Sequence, residues 1–180
     1  MQALVIRFWK EVYMKKKDFV IILLACGLAI LIRSFIFNIS IVRQSSMYPT
    51  LQSGNLLFVS KLGVRQNIKK GSIVILKSPA EDKLLIKRVL ALPGQVVDIE
   101  DGKVIVNGEA QQEPYTSEPE TSPVGETSHW ELSDDQVFVL GDNRPNSIDS
   151  RILGPIKMKD VKGIVKFRIY PFEKLVNYEK

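Results

Sequence analysis

The longest apolar run in the chain extends from Phe19 to Phe37, broken only by Arg33 and Ser34 near its far end. As a helix of nineteen residues it spans roughly 28 Å, close to the ~30 Å hydrocarbon core of a bilayer. Beyond residue 38 the pattern changes to short β-branched runs bounded by turn residues. These predict strands at Ile39–Arg43, Leu56–Ser60, Ser72–Lys77, Leu84–Ala91, Val96–Glu100, Lys103–Asn107, Val137–Leu140 and Gly163–Tyr170. Asp101-Gly102 marks a hairpin, because a type I′ turn needs positive φ at both central residues. Leu92-Pro93-Gly94 marks a break. No later window keeps a 3.6-residue period. The pattern therefore predicts a mainly β, antiparallel sheet or barrel-like domain over 38–180, preceded by a single transmembrane helix over 18–37. Residues 109–135 are rich in Glu, Pro, Thr and Ser and read as an exposed excursion carrying His129 and Trp130.

Charge sharpens the membrane reading. The net +5 of the 180 residues is concentrated in residues 1–17, which carry +4, while 38–180 carry only +1. A nucleic-acid module needs its basic surface on the folded body, so nucleic acid is not an expected partner. Lys15–Lys17 stand directly before the apolar run, and by the positive-inside rule they stay cytoplasmic while residue 38 onward is exported. A buried core helix is the plainer reading of Phe19–Ile32 alone. Arg33 sits one turn from the end, where its side chain can reach the headgroups. A cleavable signal peptide needs small residues after the apolar run; Phe35-Ile36-Phe37 are large, which predicts an uncleaved anchor. Leu4, Val5, Phe8, Trp9, Val12 and Tyr13 suggest a short interfacial helix within 1–14.

Composition narrows the chemistry. One Cys (Cys26) excludes an internal disulfide framework, and one Cys with one His leaves too few soft ligands for structural zinc. No metal or nucleotide motif appears, and no cofactor is expected. Three segments carry polar residues that the β pattern does not explain: Gln44-Ser45-Ser46-Met47-Tyr48-Pro49-Thr50-Leu51; Lys87, which alternation along Leu85, Lys87, Val89 and Ala91 puts on an apolar face; and the loop Gly141–Arg151. Each has a plainer reading: a turn hydroxyl, an edge-strand lysine, a surface loop with an ion pair of little weight. Together they supply a serine nucleophile activated by a neutral lysine. Lysine serves as a base only when uncharged, and burial among Leu, Ile and Val lowers its pKa by penalising the ammonium. Ser147 is available to aim it.

At these residues the chain resembles the bacterial type I signal peptidases, in the compact form found in Gram-positive bacteria. Ser46-Met47-x-Pro49-Thr50-Leu51 is similar to the family's nucleophile motif, and Lys87-Arg88-Val89 with Leu92-Pro93-Gly94 to its general-base motif. Gly141-Asp142-Asn143-Arg144-x-x-Ser147-x-Asp149-Ser150-Arg151 is similar to its third box. The resemblance implies a membrane-anchored serine endopeptidase that removes signal peptides from exported preproteins, cutting after small residues of the Ala-x-Ala type. It implies Ser46 as nucleophile, Lys87 as general base, Ser147 as the hydroxyl orienting the lysine, an Asp149–Arg151 ion pair bracing the loop, and Asp142 facing Arg88. Val42, Met47, Leu51 and Ile86 would line shallow pockets that reject bulky side chains by overlap. The substrate would add as an extended strand. Partners would be preproteins and the lipid bilayer.

The chain departs from the family pattern two residues before the serine, where Gln44 stands in place of Gly or Ser and bears on the oxyanion hole. Two other readings compete. A catalytically silent, membrane-tethered relative acting as an assembly or binding factor would lack the nucleophile or the base, and both are present. A self-cleaving Ser-Lys repressor would begin with a soluble DNA-binding segment, which residues 1–37 do not resemble.

Overall fold

The computed structural model describes residues 16–172; the interfacial helix expected within 1–14 lies outside them. The chain divides after Ile36 into two units. The first holds one helix, α1 (Lys16–Phe35), 20 residues with no buried side chain, long and apolar enough by length and composition to cross a membrane. It begins two residues before the expected segment and ends two residues before it, because Phe37 already belongs to a strand.

The second unit is built almost entirely of antiparallel strands: β1 (Phe37–Ile41), β2 (Leu56–Ser60), β3 (Ile73–Lys77), β4 (Leu84–Ala91), β5 (Val96–Glu100), β6 (Lys103–Val106), β7 (Glu109–Ala110), β8 (His129–Glu131), β9 (Gln136–Leu140), β10 (Ile156–Lys157) and β11 (Val161–Tyr170). Two helical turns, α2 (Val64–Asn67) and α3 (Ser150–Leu153), join them. One sheet runs β1-β2-β11-β3-β4-β9-β10 and the other β7-β6-β5-β8. The mainly antiparallel β architecture expected from the pattern is what the chain adopts.

Alternation explains how one sheet serves two cores. Along β3, Val74 and Leu76 enter a cluster with Leu85, Val89, Val137, Val139 and Ile164. Ile73 and Ile75 point the other way, into a cluster with Val42, Met47, Leu51, Leu57, Val59 and Val165. A third cluster joins the second sheet to β9 through Val97, Ile99, Trp130, Phe138 and Leu140. On β4, Leu85 and Val89 share a cluster as expected, but Ala91 does not. The register slips between Val89 and Ala91 and turns Ala91 toward the third cluster.

Turn chemistry closes the hairpins. Asp101 and Gly102 have φ of 47° and 73°, as the predicted type I′ turn demands. Asn107 and Gly108, at 51° and 81°, form a second such turn into β7, so β6 stops at Val106 rather than Asn107. Most of 109–135 is exposed, as expected, but not all of it. Tyr115, Thr121, Trp130 and Leu132 within it are buried, and Trp130 lies opposite Val97 with its ring 4.8 Å from Phe138. Apolar residues are few there: Val124 is exposed, while Tyr115, Trp130 and Leu132 are anchors.

Candidate active site

The turn that follows β1 is held from below. Met47 and Leu51 are buried in the second cluster, and Tyr48 N–H donates to Ser45 O while Leu51 N–H donates to Met47 O at 2.8 Å. This leaves Ser46, 7 % exposed, at the edge of a cleft of about 310 Å³ lined by Arg43, Gln44, Ser45, Leu85, Lys87 and Asn146 among others. A neighbouring groove, lined by Ile39, Ile41, Gln44, Ile75, Leu84 and Ile86, lies between β1 and β4. Val42, Met47 and Leu51 are buried in the cluster beneath, with Ile86 partly buried against it.

Lys87 is 1 % exposed, on the strand face shared by Leu85 and Val89. Its Nζ is 2.6 Å from Ser46 Oγ. Burial is the main force on the amine, bringing its pKa down to about 8; Asp149 and Asp142 pull the other way, and Arg151 adds to the lowering. At neutral pH about a tenth of the amine is therefore free base, many times more than for a solvated lysine. Arg88, next in sequence, alternates away. It grips Asp142 with both ends of its fork, Nε to Oδ1 at 2.9 Å and Nη2 to Oδ2 at 2.7 Å. It also donates to Gly71 O at 3.0 Å, with its guanidinium 4.0 Å over the Tyr115 ring.

The loop after β9 gathers these pieces. Asp149 accepts from Gly141 N–H and Arg151 N–H, and Arg151 closes on it through Nε at 2.9 Å and Nη2 at 3.0 Å. Asp142 Oδ2 also accepts from Thr50 Oγ1 at 2.6 Å, tying the loop to the serine turn. Both expected ion pairs, Asp149–Arg151 and Asp142–Arg88, are formed and buried. Ser147 Oγ is buried near Gly141 but has no hydrogen-bond partner among the described residues. The bond to Lys87 that the resemblance implies for it is thus not made here.

Sequence reading missed Asn143. Its N–H donates to Ser46 O at 3.0 Å and its Nδ2 to Ser45 O at 3.2 Å. Because its bonds go to backbone carbonyls, nothing in spacing or periodicity points to it. His129 is exposed on β8 with Nδ1 2.6 Å from Asp98 on β5. The partner of Ser46 is Lys87, not the histidine. What the arrangement offers is a desolvated amine against an alcohol, beside a groove with an apolar floor and open strand edges.

Comparison with known proteins agrees with the sequence motifs. Residues 15–170 match the family described as signal peptidase, peptidase S26. Signal peptidase I T of Bacillus subtilis (strain 168) is 37 % identical over 163 residues, 86 % of this chain and 84 % of that protein. Signal peptidase I of Bacillus licheniformis is 38 % identical over 164 residues, 86 % of this chain and 88 % of that protein. The crystal structure of a signal peptidase I from Enterococcus faecalis V583 is 27 % identical, covers 55 % of this chain and 97 % of that one, and has a TM-score of 0.47.

Proposed function

The chain belongs to the signal peptidase family, peptidase S26, and from that membership we propose that it cleaves exported preproteins with Ser46 as nucleophile and neutral Lys87 as general base. Removal of signal peptides is the activity of the family; the residues and their roles are our reading. The observation that carries it is the 2.6 Å contact between a buried lysine nitrogen and a serine hydroxyl. In the reactive state the amine is uncharged and Ser46 O–H donates to its lone pair. Oγ then attacks the scissile carbonyl carbon as its proton passes to Nζ, and the tetrahedral oxyanion is met by the Ser46 N–H, with the Gln44 carboxamide able to add a second donor. The resulting ammonium protonates the departing amine of the mature protein. A water, deprotonated by the same nitrogen, releases the signal peptide's carboxylate.

The remaining site residues follow from this. Ser147, a residue of the 141–151 loop whose buried hydroxyl has no partner among the described residues, is to orient the amine by turning toward it in the reactive state. Asp149 with Arg151, and Asp142 with Arg88, keep that loop in register. The signal peptide lies extended in the groove between β1 and β4, pairing with strand edges. Ile86, with Ile39, Ile41, Ile75 and Leu84, lines that groove. Val42, Met47 and Leu51 are packed beneath it and keep its floor from yielding, so that small side chains are admitted and large ones rejected, which favours cleavage after Ala-x-Ala sequences. Helix α1 anchors the enzyme in the cell membrane as a single pass. Residues 1–17 lie on the cytoplasmic side, drawn there by Lys15–Lys17, and 38–180 on the outer face.

The test is cleavage of a preprotein by the full chain in detergent. Ser46→Ala and Lys87→Ala should each lower kcat by at least about 10²-fold, and Lys87→Arg should be as inactive, because a guanidinium stays protonated. Undiminished cleavage by Ser46→Ala would remove the nucleophile assignment.

A further inference from the structure

The segment between β7 and β8 crosses the back of the 141–151 loop and is pinned to it at several points. Arg144, 3 % exposed, donates Nε to Gly141 O at 3.0 Å and Nη1 to Glu113 Oε2 at 2.9 Å, while Nη2 closes on Glu113 Oε1 and Nη1 on Thr121 Oγ1. Ser117 N–H donates to Asp142 O at 3.0 Å. Arg151 Nη1 donates to Ser122 O at 3.2 Å. The segment is itself fixed at both ends of this contact: Tyr115 is buried under the Arg88 guanidinium, and Thr121 N–H donates to Gly102 O at 2.7 Å in the β5–β6 hairpin. It is a strap, not a free excursion.

None of these bonds goes to Ser46 or Lys87. The bonds made by Arg144, Ser117 and Arg151 all involve the loop whose Asn143 holds the carbonyls of Ser45 and Ser46. Arg144 follows Asn143 directly, and its side chain folds back onto the carbonyl of Gly141, so the guanidinium sets the conformation of the two residues between, Asp142 and Asn143. Among the described residues, Glu113 is the carboxylate that bonds both terminal nitrogens of that guanidinium. The two together form a planar, two-point contact that tolerates little displacement.

We infer that Glu113 is a positioning residue for the reaction: through Arg144 it holds Asn143 against the Ser46 carbonyl and so fixes where the nucleophile's oxygen stands relative to Lys87. The inference rests on the proposed roles of Ser46 and Lys87. A reacting atom displaced by about 1 Å costs on the order of 10²-fold in rate, so a loosened loop is felt in kcat while substrate binding along the β1–β4 groove is not. The strap thereby couples the second sheet, which carries no proposed reacting group, to the chemistry.

The experiment compares kcat and KM for a preprotein in detergent, at temperatures well below each variant's unfolding midpoint. Glu113→Gln should lower kcat about tenfold with KM within about twofold. Glu113→Asp should recover part of the loss, because it restores the charge with a shorter reach. Glu118→Gln, exposed on the same strap, should match the unaltered enzyme. A Glu113→Gln protein that unfolds earlier yet keeps full kcat would overturn the inference, since the pair would then serve stability alone. Should Glu113→Gln not fold, Thr121→Val decides: it removes one acceptor from Arg144 without changing charge, and unchanged kcat there overturns the inference equally. Ser46→Ala is run alongside. If it retains activity the nucleophile reading fails, whereas an inactive Ser46→Ala beside a fully active Glu113→Gln rejects the strap alone.

Discussion

At the scale of single residues, the proposed role of the Lys87 amine as base ties rate to stability. With its pKa near 8, the free-base fraction grows as pH rises, so kcat/KM for a preprotein should climb through an apparent pKa of about 8 and level off above it. A flat profile between pH 6 and 9 would speak against a lysine base. The same shift has a cost. The unfolded chain holds this proton up to about pH 10.4, so between the two values it binds more protons than the folded one. Stability therefore rises with pH across that window, and below pH 8 the folded protein carries the whole penalty of about 3 kcal/mol. Lys87→Met should accordingly be the more stable protein at pH 7 in chemical denaturation, and the gap should close above pH 10. Gly141 is a different kind of control point. A Cβ there would stand 2.2 Å from Ser147 Oγ and 2.5 Å from Ser46 O. The hydroxyl can rotate aside, but the carbonyl belongs to the backbone of Ser46, the proposed nucleophile. Gly141→Ala should thus lower kcat by about 10²-fold with little change in KM.

At the scale of elements, the strands read most directly from the sequence are those whose local chemistry is self-consistent. Leu56–Ser60, Leu84–Ala91 and Val96–Glu100 have the ends expected of them, because β-branched runs there meet glycine or proline breaks. The Asn107-Gly108 turn was equally legible and was read as strand. What misled was composition: a stretch poor in apolar residues looks exposed, yet Tyr115, Trp130 and Leu132 are spaced so that each reaches a core. Trp130→Ala should cost about 3 kcal/mol or more, measured by denaturation of the whole chain, where a truly exposed tryptophan would cost little. The serine, the lysine and both ion pairs were legible through motif spacing. Asn143 and Glu113 were not, since their partners are backbone carbonyls and an arginine whose direction only the folded loop determines. The Arg88–Asp142 pair shows why such contacts matter to a β protein. Both side chains are wholly buried, so Arg88→Met would strand a carboxylate and destabilise by about 3–5 kcal/mol.

At the scale of the whole molecule, the division after Ile36 would separate the proposed tasks of anchoring and cutting. All three apolar clusters are formed by residues from Val42 to Val165. A chain starting at Phe37 should consequently fold with the same circular dichroism in the β region and cleave a short soluble peptide at a rate within a few-fold of the full chain. Cleavage of a membrane-inserted preprotein should fall much further, since anchor and substrate then no longer share a plane. Loss of β structure in that fragment would mean that α1 contributes to the fold itself. The strand order holds one more consequence. The last strand, β11, lies between β2 and β3, and the loop that holds the serine turn is itself encoded after residue 140. A nascent chain therefore lacks the middle of its main sheet until Val161–Tyr170 has emerged. On the proposed function, proteolytic competence would wait for residues 161–170, which keeps a half-made protease from attacking the traffic passing beside it.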